Sequence, residues 1–111
     1  MTATFTHKRR FPRIPSDYPV LVRRIGDEAL ERLGRTSSLG LGGCAFLSEE
    51  AFGMEALVEL LISIDMRVVS APGRIVYENR ASPSGFEIGV EFLELGTDER
   101  KILDRLFNRD F

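Results

Sequence analysis

The alternation in "GFEIGVEFLEL", residues 85 to 95, constrains this chain more than any other stretch. Phe86, Ile88, Val90 and Phe92 fall on one side, and Glu87, Gly89 and Glu91 on the other. Successive side chains of a strand point to opposite faces, so this run is a strand with one face on a core and the other in water. Such a strand needs partners, because one or two strands do not hold together alone. "YPVLVRRI" (Tyr18 to Ile25) supplies one, with the β-branched and apolar residues typical of strands. "EALVELLISI" sets Val58, Leu60, Ile62 and Ile64 opposite Glu59, Ser63 and Asp65, although a Leu-rich run also suits a helix. "RVVSAPGRIVYE" is β-branched on both sides of Pro72-Gly73, a pair expected to form a turn or bulge. "EALERL" (Glu28 to Leu33) has helical propensity, but it is too short for an isolated helix and lies among strands, so a strand is expected.

One segment carries the other period. In "TDERKILDRLFN", Ile102, Leu103, Leu106 and Phe107 form a single apolar stripe, Asp98 and Glu99 suit the positive end of a helix, and Thr97 is placed to cap it. Five or six short strands bounded by turn signals and followed by one amphipathic helix point to a mainly β fold. The expected architecture is a small, closed antiparallel β-barrel with the C-terminal helix packed on it. At 111 residues the chain is one domain, divided into a flexible basic arm (residues 1–16) and the barrel with its helix (residues 17–111). Pro12 and Pro15 keep the arm from being a helix or a central strand.

Composition narrows function. The formal net charge of −2 argues against a protein that coats DNA or RNA. Cys44 is the only cysteine and is expected to be a small buried hydrophobe, so there is no internal disulfide and a reducing, cytoplasmic location fits best. His7 is the only histidine, which leaves no Ser/His/Asp set and no metal-ligand spacing, so an enzyme is not expected. No apolar run approaches the ~20 residues of a membrane span, and no membrane role is expected.

Against this background "HKRRFPRIP" gathers four cations, Lys8, Arg9, Arg10 and Arg13, within six residues. Taken alone, such a run is a solvated terminus. A second cluster, Gly40, Gly42 and Gly43 in "TSSLGLGGCAFL", marks backbone that needs positive φ or close approach, and a turn or bulge between two strands accounts for it. It has neither dinucleotide-binding nor P-loop spacing. Glu87 and Glu91 lie on the outward face of their strand, where a solvated role is expected.

Taken in order, these features resemble the PilZ domain family. "RRFPR" matches that family's R-x-x-x-R motif as Arg9 and Arg13, "GFEIGVEFLEL" its late strand and "TDERKILDRLF" its terminal helix, over residues 8 to 108. The family's D/N-x-S-x-x-G motif falls on "SLGLGG", and there the sequence departs: Ser38 takes the acidic or amide position, Gly40 the serine position, and Gly43 keeps the glycine. The resemblance implies a six-stranded barrel that binds cyclic di-GMP, with no cofactor. It assigns Arg9 and Arg13 to base and phosphate contacts, Arg10 as an auxiliary, and Ser38, Gly40 and Gly43 to the barrel wall. Arginine's planar fork suits both guanine edges and phosphate oxygens. The implied role is a second-messenger receptor acting on an effector protein in motility or exopolysaccharide control. The alternative is an interaction module that no longer binds cyclic di-GMP. Losing the motif's contacts costs about 2–4 kcal/mol unless Thr36, Ser37 or further arginines compensate.

Overall fold

The computed structural model describes residues 13–27 and 30–108. Seven strands precede one helix: β1 (Arg13–Pro15), β2 (Pro19–Arg24), β3 (Glu31–Gly40), β4 (Gly43–Ser48), β5 (Leu57–Ile64), β6 (Arg67–Ser82), β7 (Gly85–Phe92) and α1 (Thr97–Asn108). They form one antiparallel sheet in the order β1-β3-β2-β5-β6-β7-β4, and the pairing of β4 with β3 closes it. The barrel therefore has six strands, β2 to β7, with β1 as an extra strand.

β1 and β2 lie along the same side of β3. β2 pairs with Glu31 to Arg35, and β1 with Ser38 to Gly40. The pair behaves as one strand interrupted at Ser16–Tyr18, and Thr36 spans the interruption. Thr36 donates its backbone N–H to Tyr18 O at 2.8 Å, while its Oγ1 accepts the Tyr18 N–H at 2.9 Å and the Ser16 hydroxyl at 2.8 Å. This accounts for Thr36 being the one buried polar side chain among the described residues. Arg13–Pro15 of the basic arm are thus already part of the sheet.

The alternations in the sequence become the two faces of the barrel. Val20 and Val22 of β2, Val58 to Ile64 at every second position of β5, Val69 and Ile75 of β6, and Ile88 and Val90 of β7 point inward with Leu39, Cys44 and Phe46. Phe52 enters between β4 and β5 and meets Phe46 edge-on, with ring centroids 5.9 Å apart. Leu103 and Leu106 of α1 join the core.

Two local expectations are corrected. Pro72-Gly73 is not a turn: β6 runs straight through it, with Pro72 opposite Glu59 and Gly73 opposite both Val58 and Phe92. Pro72 O accepts from Leu93 N at 2.9 Å, just past the end of β7, so the N–H that proline lacks falls where the neighbouring strand stops. The irregularities of β6 lie instead between Ile75 and Tyr77 and between Arg80 and Ser82. At the helix, the first i→i+4 acceptor is Gly96 O, bonded by Arg100 N at 3.0 Å. Gly96 therefore occupies the cap position and Thr97 the first turn.

Candidate functional site

The end of the β3–β4 hairpin brings the predicted residues together. Arg13 lies opposite Gly40 in the β1–β3 pairing, and Ser38 lies between Pro15 and Ala45. Gly43 opens β4 opposite Glu91. A Cβ at Gly43 would overlap the Val90 carbonyl oxygen and stand 3.0 Å from Arg13 Nη2. The glycine is therefore required by close approach, not by positive φ, which among the described glycines occurs at Gly26 and Gly53. Without a side chain at 43, the Arg13 guanidinium lies against the strand. Its Nη1 is buried with no hydrogen-bond partner among the described residues.

An orphan buried N–H costs free energy, and Arg74 Nε is likewise buried without a hydrogen-bond partner among the described residues. The guanidinium sits near Cys44, whose thiol burial pushes up to about 12, with the charge of Arg13 acting in the opposite direction. The thiol is neutral at physiological pH and offers Arg13 no counter-charge. Of the predicted residues, Arg13, Ser38, Gly40 and Gly43 share this corner, whereas Arg9 and Arg10 lie outside the described residues.

From this corner the outward positions of β4 and β7 continue as Gly43, Ala45 and Gly89, all of them buried. Gly89 pairs with Ala45 on one side and Tyr77 on the other. The Tyr77 ring occupies the space a Cβ on Gly89 would need. Farther along the strands from Arg13, Ser37 donates its hydroxyl to Glu87 Oε2 at 2.8 Å. Ser37 can do this because it is the extra residue of a bulge in β3, between Thr36 opposite Phe46 and Ser38 opposite Ala45. Glu87 is therefore half-buried and hydrogen-bonded, not simply solvated as expected. Glu91 is exposed and pairs with Arg74 at 3.0 Å. Tyr77, Ser37 and Glu87 were not predicted as site residues. The glycine at 89, between two glutamates on a strand face, was the only signal of a ring packed above.

A cleft of about 600 Å³ lies elsewhere. It opens where β3 and β4 part beyond Arg35 and Leu47, between Leu33, Leu47 and Phe86. Arg32 pairs with Glu50 at its edge, and Glu49 adds a second carboxylate.

The sequence profile of the PilZ domain matches residues 7–109. This chain belongs to the PilZ domain family. The fold agrees with solved PilZ structures. The Bacillus subtilis inhibitor of motility, MotI/DgrA, superposes with a TM-score of 0.78 at 14% identity, over 94% of this chain and 51% of that one. Escherichia coli YcgR in complex with c-di-GMP gives 0.75 at 16% identity, over 92% and 45%. The PilZ domain of CeSA from a cellulose-synthesizing bacterium gives 0.62 at 22% identity, over 90% and 99%. This PilZ domain thus spans about half the length of the first two proteins. No curated protein sequence matches it. Within the PilZ pattern, Arg13 is the second arginine of R-x-x-x-R, and the departures at Ser38 and Gly40 lie on the strand beside it.

Proposed function

We propose that this PilZ domain is a non-catalytic receptor for cyclic di-GMP. The observation that carries the reading is the Arg13 guanidinium, held over Gly43 with a buried, unpartnered Nη1. An anionic dinucleotide with guanine and phosphate acceptors supplies what that group lacks. Arg9, four residues earlier, contributes the second fork and Arg10 an auxiliary cation, as the family motif implies. The complex of Escherichia coli YcgR with c-di-GMP supports the same ligand class on the same fold.

Closure of the basic arm over the ligand alters the surface offered to an effector protein in the cytoplasm. A motility or exopolysaccharide output follows from the names of the motility inhibitor and the cellulose-bacterium domain among the structural neighbours. Calorimetric titration with cyclic di-GMP, with GTP as control, tests this. Binding of the cyclic dinucleotide alone, weakened at least tenfold by Arg9→Ala, is expected. No binding, or binding untouched by Arg9→Ala, overturns the proposed arrangement.

The glycine at position 40 favours a second reading, a PilZ module that works through protein contacts without the dinucleotide. The cleft that sets Leu33, Leu47 and Phe86 among Arg32, Glu49 and Glu50 gives such a module a surface. No heat on titration, together with gain of binding on restoring Ser38→Asp and Gly40→Ser, would favour it.

A further inference from the structure

We infer that Glu87 reads the donor edge of a guanine base in this site and sets its selectivity, with Ser37 as its positioning residue. The inference rests on the receptor reading above and adds a residue to it.

Arginine only donates hydrogen bonds, so Arg13 can engage guanine O6 and N7 or a phosphate but not the base's N1–H and N2–H₂. Those donors need an acceptor, and a carboxylate takes two parallel N–H bonds. Position 38, on the strand beside Arg13, holds a serine, and Glu91 is engaged by Arg74. Glu87 remains. It stands on the outer face of β7, half-buried, and reaches across β4 to Ser37 on β3. Its Oε2 accepts the Ser37 hydroxyl, and Oε1 takes no hydrogen bond from the described residues.

The bulge matters here. It sets Ser37 between the levels of Ala45 and Phe46, so the carboxylate is held two to three residues along β4 from Gly43 and the Arg13 guanidinium. At strand rise this is roughly 7–10 Å, within the span of one nucleotide. The Tyr77 ring lies over Gly89 between them and puts an aromatic ring on the same side of the sheet. Donor fork, acceptor and ring therefore share one face of β4, β6 and β7.

Equilibrium titrations of the native chain, Glu87→Gln and Ser37→Ala with cyclic di-GMP and cyclic di-IMP, whose base lacks the N2 amino group, test the inference. The native chain is expected to prefer cyclic di-GMP by tenfold or more, the range of one charge-assisted hydrogen bond. Glu87→Gln is expected to lose at least tenfold for cyclic di-GMP and to bring the ratio below threefold. The sign is diagnostic: were Glu87 only a nearby charge, neutralising it would strengthen the binding of a dianion. Ser37→Ala is expected to weaken cyclic di-GMP several-fold while keeping the preference.

Unchanged or increased affinity in Glu87→Gln, or equal binding of both dinucleotides by the native chain, overturns the Glu87 assignment and leaves the receptor reading standing. Failure of the native chain to bind either dinucleotide overturns both. If Glu87→Gln loses its cooperative thermal transition, Ser37→Ala decides, and native-like affinity in that variant overturns the inference.

Discussion

Glu78 offers a quantitative check on how the barrel end is held. One carboxylate oxygen on β6 accepts the backbone N–H groups of Phe52 at 2.6 Å and Gly53 at 3.0 Å. These bonds fix the segment between β4 and β5 where Gly53 takes a φ of +107° and the Phe52 ring turns inward. Glu78→Ala removes both bonds and leaves two donors, one of them next to a core phenylalanine. Hydrogen bonds to a charged acceptor contribute about 1.5–3 kcal/mol each, and half-burial of Glu78 places both near the low end. The expected loss is about 2–4 kcal/mol, out of roughly 5–15 kcal/mol for a domain of this kind. In Tm that is a fall of roughly 8–15 °C. Glu78→Gln keeps an oxygen acceptor and should cost only about 1 kcal/mol. Urea unfolding followed by circular dichroism reads both variants on one scale. A Glu78→Ala stability within about 0.5 kcal/mol of native, or equal losses in the two variants, would refute the view that this carboxylate anchors the Phe52–Gly53 segment.

Further outcomes follow from other residues. Because burial raises the Cys44 thiol from 9.0 to about 12, the folded state holds its proton where the unfolded state releases it. Native stability should therefore be undiminished by this group below pH 9 and fall as pH rises from 9 towards 12, and Cys44→Ala should lack that component in pH-dependent unfolding. The same burial predicts that a thiol reagent at pH 8 labels Cys44 only as fast as the chain unfolds. Asp65 and Met66 form the β5–β6 turn with φ of +49° and +70°, so Met66→Gly should raise stability by about 0.5–1 kcal/mol in urea titrations. Ser38→Asp with Gly40→Ser adds a carboxylate and a hydroxyl beside Arg13, and should tighten cyclic di-GMP binding by tenfold or more in calorimetry.

Much of the barrel was legible because half-buried strands declare themselves locally. Val58 to Ile64 and Phe86 to Phe92 alternate in sequence as they do in space, and the stripe of Ile102 to Phe107 has the helical period. Pro72-Gly73 misled because both residues usually break structure. Here the missing donor meets the end of β7, and Gly73 gives room to the Val90 side chain. Neither condition is visible without the register of a strand nearly twenty residues away. The site divides along the same line. Arg13, Ser38 and Gly43 could be placed from a contiguous motif, and the β1–β3–β4 pairing brings them to one corner. Ser37 and Glu87 could not, since a bulge in β3 and the width of β4 decide that a serine and a glutamate fifty residues apart touch. Outward alternation correctly put Glu87 on the solvent side of the sheet and said nothing about what crosses to meet it.

The most direct measurement of the central claim is a calorimetric titration of cyclic di-GMP into the native chain, Arg13→Ala and Arg13→Lys under identical salt. A guanidinium whose Nη1 has no partner among the described residues, and which closes on the ligand, predicts a loss of roughly 10- to 150-fold in Arg13→Ala. Arg13→Lys should recover only part of it, because lysine keeps the charge without the planar fork. Native affinity in Arg13→Ala would contradict the account.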